Sequence, residues 1–514
     1  MTRFRLTRWL VLAAALLATS VGFAQPKPVP AQAPNPAEDS APAGSRTYGG
    51  LRFAPCNLAA SDAPVDVDAF CTTLKVPENP AAPAGRKIEL ALAWVPSSHA
   101  KPAAEPVFML AGGPGQSARD SYPGIAPAFR EIRKRRHVLL LDQRGTGASN
   151  PLICRDREGK PAVLDDEDVS VEALRGFTER CFESLAKRAD PRFYTTSVAI
   201  QDLDLVRERI GVERVGLVGI SYGTRVAQQY LARYPQRVYA AVLDGVAPNT
   251  MALGIDHARN LESSLDLQFA RCGGDKACSE RFGNPRANLD RLLAEARVAP
   301  KTVAYRDPSS NEWREKTLTH GVIAGLVRLF AYAPGLAASL PMTLHEAVSG
   351  RAEPLVAQAE MITSSLSDQI AHGMQLSVIC SEDADLIRIN PDDADTVLGN
   401  SLVELMQAQC EVWPRGSRPE NFHSPLVSNR PVLLLSGEFD PVTPPRYGND
   451  VLRTLSNARH LVLRGQGHNV VGSGCMPRLL AEYFERPEPA ALKVECLKQL
   501  DYAPQFTGFY GWDP

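Results

Sequence analysis

At 514 residues the chain is long for one core and calls for one large domain with an insertion, or for two domains. Its 44% apolar and 22% charged content is that of an ordinary globular protein. A formal charge of -2 supplies no overall basic field, which excludes nucleic acid as an expected partner.

Residues 1–24 read as an export leader. Arg3, Arg5 and Arg8 precede an apolar run from Trp9 to about Ala18, and Gly22-Phe23-Ala24 offers small residues for cleavage after Ala24. The apolar run is short of the roughly 20 residues that span a bilayer. No cysteine stands directly after the cleavage point, where a lipid would be attached. A periplasmic or secreted protein without a stable membrane anchor is therefore expected. Losing three arginines and no acids takes the net charge from -2 to -5. Residues 25–47, rich in Pro and Ala with almost nothing to bury, are expected to form a disordered tether.

All ten cysteines follow the leader: Cys56, Cys71, Cys154, Cys181, Cys272, Cys278, Cys380, Cys410, Cys475 and Cys496. An even number in an oxidising compartment points to disulfides, and the simplest of many connectivities pairs them in chain order. No CxxC occurs and no histidine stands at ligand spacing from a cysteine, so no metal is expected.

Residues 48–248 alternate strand and helix signals. Lys87 to Pro96 alternates apolar and polar residues as a half-buried strand does, while Pro106 to Gly112 and His137 to Gln143 are continuous apolar runs suited to a parallel sheet buried on both faces. The basic run Arg130 to His137 leads into the second of these and reads as a solvated helix end. Ser197 to Gly211 has helical spacing with Gly211 as its stop, followed by the strand-like Val215 to Ile220, a helix after Ser221, and the strand-like Tyr239 to Val246. This order predicts an α/β class, a doubly wound, mostly parallel sheet. Residues 249–418 look mainly helical, with few strong strand runs, and are expected to be a cap inserted into that core. Residues 419–514 return to strand plus loop in Pro431 to Pro444 and His460 to His468.

One serine stands where a strand must turn abruptly into a helix. Ser221 is flanked by Gly219 and Gly223 in "GISYG", and only small residues tolerate so sharp a turn. The turn sets the hydroxyl beside the free N–H groups of the helix start, which favour a negative oxygen. A serine needs a base, and the base an orienting acid. Asp440 follows one later strand and His468 another, in the order Ser, Asp, His; the remaining histidines lack such placement. Donors for an oxyanion are expected from the Tyr222 N–H and from the glycine-rich "LAGGPGQS", where Gly113 is preferred to Gly112. A phosphate loop is disfavoured there, because a Walker lysine is missing and Pro114 sits mid-loop.

The segments "AGGPG", "LDQRGTGAS", "GISYG", "GEFDPVTP" and "GQGH", in this order, resemble those of proline iminopeptidase-like α/β hydrolases. Cys380 in "VICSEDAD" and the later Cys410-Glu411-Val412-Trp413-Pro414 are similar to the secreted tripeptidyl aminopeptidase branch. The resemblance covers roughly Cys56 to Cys496. It implies a serine peptidase acting at free peptide N-termini, with Ser221 as nucleophile, Asp440 as acid, His468 as base, and no cofactor. It departs at Ala111, where many relatives carry histidine before "GGPG". An exopeptidase must bind the substrate ammonium, and Glu382 and Asp383 are candidates. Arg144 in "DQRG" is expected to bond loops beneath the site. Two alternatives stay open: a carboxylesterase or other ester hydrolase using the same groups, and an inactive hydrolase-fold binding protein.

Overall fold

The computed structural model describes residues 42–59, 65–155, 170–308, 310–367 and 370–511, the side chains of 362–367 excepted. The expected leader and most of the expected tether lie outside these residues. Three antiparallel strands open the sheet: β1 (Arg46–Tyr48), β2 (Leu51–Ala59) and β3 (Asp66–Pro77). β1 therefore begins inside the segment expected to be tether. β4 (Lys87–Val95) pairs antiparallel with β3 and with β6 (Val138–Leu141). From there the sheet is parallel, through β5 (Val107–Leu110), β7 (Val215–Ile220), β8 (Val238–Asp244), β11 (Val432–Gly437) and β12 (Ala458–Leu463). The full order is β1-β2-β3-β4-β6-β5-β7-β8-β11-β12.

The central strands are apolar throughout because both faces are covered. Phe108, Leu139, Leu217 and Leu434 bury on one face, and their neighbours Met109, Leu140, Val218 and Leu433 on the other. The first face is covered by α3 (Thr196–Arg209) and α4 (Tyr222–Arg233), the second by α1 (Ala118–Arg133) and the helix Met476–Glu485. Each such side chain contributes about 1.5–3 kcal/mol of burial. A further helix, α2 (Val171–Ala186), is tied by Cys181 to Cys154. α3 stops where expected, with Gly211 in the left-handed region at φ 74°.

Between β8 and β11 the chain is mainly helical. α5 (His257–Gly274) and the helices Pro285–Val298, His320–Ala331 and Leu340–Val348 share their own apolar cluster. A hairpin of β9 (Lys301–Arg306) and β10 (Trp313–Leu318) interrupts them, a feature the sequence pattern did not announce because most of its side chains are exposed. The ten cysteines form five bonds in chain order, from Cys56–Cys71 across β2 and β3 to Cys475–Cys496.

The register aligns the carboxyl ends of the parallel strands. Leu110 pairs with Gly219, Ile220 with Asp244, and Asp244 with Leu435. The loops after β5, β7, β8 and β11 thus emerge side by side at one edge, where open α/β sheets hold their ligands.

Candidate active site

Ser221 joins β7 to α4 with φ 55° and ψ -122°, a conformation that side-chain-bearing residues rarely adopt. The flanking glycines are required by close approach: a Cβ on Gly223 would lie 2.2 Å from the Leu110 carbonyl oxygen, and one on Gly219 2.4 Å from that of Gly223. The Ser221 N–H donates to the Asp244 carbonyl at 2.8 Å, and its own carbonyl accepts from Thr224 N and Oγ1 at 2.9 and 2.6 Å. The elbow is therefore held on both sides.

Asp440, buried past the end of β11, has all its bonds filled. Its Oδ1 accepts the Val442 and Thr443 N–H groups, each at 2.8 Å. Its Oδ2 accepts His468 Nδ1 and the Thr443 hydroxyl, also each at 2.8 Å. Burial would raise the Asp440 carboxyl, but the His468 charge and these hydrogen bonds overcome it and hold the group below its ordinary range. For His468 burial acts downward, and the charge and hydrogen bond of Asp440 prevail, leaving the imidazole above its ordinary value. With Nδ1–H given to Asp440, the basic lone pair lies on Nε2. The His468 backbone N–H donates to the carbonyl of Tyr332 in the helical insertion at 3.0 Å, and the Tyr332 ring meets the imidazole edge-on at 5.5 Å.

Ser221 and His468 both approach one turn, Asp244–Gly245. The Asp244 carbonyl holds Ser221, and a Cβ on Gly245, which has φ 67°, would lie 3.0 Å from His468 Cε1. The loop after β5 closes a third side: a Cβ on Gly112 would lie 3.1 Å from that of Ser221. Among the hydrogen bonds of the described residues, neither the Gly113 nor the Tyr222 N–H has an acceptor. Ala111 borders a small cavity together with Gln116 and Gln143.

Glu382 and Asp383 do not face this cleft. Both are 0% exposed. Glu382 accepts the Thr196 N–H at 2.5 Å and lies 2.9 Å from Thr196 Oγ1, which is 2.6 Å from the Tyr222 hydroxyl. Asp383 is paired with Arg225 at 2.8 Å and accepts the Leu253 N–H at 2.9 Å. Asp383 is thus already neutralised by Arg225, and Glu382, fully buried, is held toward its neutral form, so neither is placed to pair with a substrate ammonium, which corrects the expectation that they recognise it. Arg144 lies under the site as expected, bidentate to Asp202 at 2.6 and 2.9 Å and donating to the carbonyls of Glu78 and Phe193.

Three residues that sequence reasoning passed over belong to the site. Thr443 stands three positions after Asp440, a spacing at which a hydroxyl can turn back to an acid, and that signal was available. Asp244 ends an apolar strand, itself a signal, since a carboxylate there must find buried partners. Tyr332 carried none, being one aromatic residue just past an apolar helix.

Residues 105–271 match the alpha/beta hydrolase fold family, and residues 395–496 match the TAP-like protein family. Serine protease Hip1 of Mycobacterium tuberculosis is 25% identical over 474 residues, an alignment covering 84% of this chain and 88% of that one. The tripeptidyl aminopeptidase of Streptomyces lividans is 24% identical over 469 residues, covering 83% of each. Carboxylesterase B of Mycobacterium tuberculosis is 25% identical over 455 residues, covering 81% of this chain and 84% of that one. The glycine-flanked serine, the mostly parallel sheet and the two matched segments agree: the chain has the α/β-hydrolase fold of a serine hydrolase and is similar over most of its length to serine peptidases of that fold.

Proposed function

We propose that the protein is an exported aminopeptidase that releases one residue, such as proline, or a short di- or tripeptide from free peptide N-termini. Ser221 is the nucleophile, His468 the base and Asp440 the acid that orients it. The observation that carries this is the Asp440–His468 bond at 2.8 Å beside the turn that also holds Ser221. His468 Nε2 takes the Ser221 proton as the oxygen attacks the scissile carbonyl, and the Tyr222 and Gly113 N–H groups receive the oxyanion. The imidazolium then protonates the leaving amine, and water repeats the cycle on the acyl-enzyme. Export is supported by the leader and by the five disulfides, which persist in oxidising compartments.

Similarity to carboxylesterase B favours a second reading, an ester hydrolase using the same groups. Mature protein assayed on paired chromogenic peptides, identical except for a free or acetylated N-terminus, separates the two. A strong preference for the free amine, lost by at least ~10³-fold in Ser221→Ala, is the expected result. Equal rates on both, or turnover of aryl esters alone, would leave the esterase.

A further inference from the structure

Asp244 is 0% exposed and bonded to both halves of the candidate site. Its carbonyl accepts the Ser221 N–H at 2.8 Å. One carboxylate oxygen, Oδ2, accepts the Val470 and Val471 N–H groups at 2.7 and 2.9 Å, just past His468 in the chain. The other, Oδ1, is buried with no hydrogen-bond partner among the described residues. A buried, unpartnered carboxylate oxygen is costly and calls for an explanation. Simple anchoring of a loop does not supply one, since a carboxamide would accept the same two N–H groups without a charge.

The turn that carries Asp244 also meets the base, since a Cβ on Gly245 would lie 3.0 Å from His468 Cε1. We propose that Asp244 is a positioning residue that ties Ser221 to the His468 loop and sets a second negative charge, beside that of Asp440, to receive the imidazolium formed during turnover. This rests on the assignment of Ser221, Asp440 and His468 given above. As the proton passes from Ser221 Oγ to His468 Nε2, positive charge appears on the imidazole next to the turn that carries Asp244, so the attraction of the buried carboxylate is larger in the transition state than at rest. Burial pushes the Asp244 carboxyl up to about 6; the Val471 and Val470 N–H groups and the His468 charge pull against it, and Asp440 pushes it further. Asp244 in turn raises His468, while Arg328 of the insertion lowers it. His257, facing the same group of charges, is held neutral by burial. Mutual attraction of this kind predicts a coupled titration of Asp244 and His468.

The test compares Asp244→Asn, Asp440→Asn and the double variant on one chromogenic peptide, with Ser221→Ala as control. Asp244→Asn keeps the two loop hydrogen bonds through its carboxamide oxygen and removes only the charge. The expected results are a fall in kcat of ~10-fold with KM little changed, and an acid limb of kcat/KM moved down by about half to one pH unit. The loss should be larger in the Asp440→Asn background than in wild type. An unmoved acid limb, with the same fold loss in both backgrounds, would show a merely structural residue and overturn the proposal. Unchanged activity in Ser221→Ala or Asp440→Asn would instead overturn the assignment beneath it. If Asp244→Asn does not fold, the downfield imidazole N–H resonance of wild-type protein decides: two inflections between pH ~4 and ~8 support the coupled pair, and one refutes it.

Discussion

Arg225 and Asp383 form an ion pair in which both side chains are 0% exposed, joining the helix that starts at Ser221 to the end of a helix in the insertion. The same guanidinium donates to the carbonyls of Met251 and Pro248, so the pair fixes the first turn after β8 as well. Asp383→Ala would leave Arg225 charged and uncompensated in the interior. A loss of about 3–5 kcal/mol is expected, read as a lower midpoint in chemical denaturation. In whatever protein remains folded, the preference for free over acetylated peptides should stay as in wild type. A specific loss of that preference would return Asp383 to the substrate-binding site.

Glu382, beside it, behaves in the opposite sense. Burial, aided by the Asp383 charge and opposed by Arg225 and the Thr196 N–H, pushes its carboxyl from the ordinary 4.5 up to about 8. Between those values the folded protein keeps a proton that the unfolded chain releases, so stability must fall as pH rises through that window. Glu382→Gln copies the neutral acid, its amide facing Thr196 Oγ1 and its oxygen the Thr196 N–H. Thermal midpoints measured across the window should decline less steeply in the variant. Parallel curves for the two proteins would mean that Glu382 is ionised in the native state.

The rate should carry the signature of His468. Free enzyme must hold the imidazole neutral to act as base, and Asp440 keeps His468 above its ordinary 6.5. The acid limb of kcat/KM is thus expected above 6.5, with activity lost as pH falls through it. Thr443→Val removes one of the two donors on Asp440 Oδ2. It should lower kcat by ~10- to 100-fold, the value of a hydrogen bond to a charged group. Thr443→Ser should restore the rate; failure to do so would point to packing of the methyl group instead.

Cys380–Cys410 closes a loop of 30 residues and ties the helix ending at Glu382 to the helix Ser401–Val412. Trp413 at the end of the second helix donates to Ser377 Oγ of the first at 3.2 Å. Replacing both cysteines by alanine should cost about 3–4 kcal/mol through the freer unfolded chain. Differential scanning calorimetry, with and without reductant on the wild type, measures it; an unchanged midpoint would show that the helix contacts alone suffice.

Much of this site was legible because its parts obey local rules. The Ser221 turn admits little but glycine on either side, and Asp440 and His468 follow the ends of strands β11 and β12. The core strands were legible for a related reason, since a strand covered on both faces is apolar at every position, as Val432 to Leu435 is. The surroundings of Glu382 and Asp383 were hidden because their partners, Thr196 and Arg225, lie 186 and 158 residues away in the chain. No local pattern separates an exposed acidic pair from one buried by such distant contacts. The hairpin Lys301–Leu318 was missed for the converse reason, because exposed strands carry little apolar alternation.

The Tyr332 carbonyl that receives the His468 N–H belongs to the insertion and not to the sheet that bears the histidine. An engineer could not, therefore, transplant a foreign insertion onto this core to change substrate choice and expect turnover to be inherited intact. The donor segment would have to bring its own acceptor to the same spot. Chimeras that spare Tyr332 and its turn, and exchange only the helices beyond it, offer the narrower and safer route to altered selectivity.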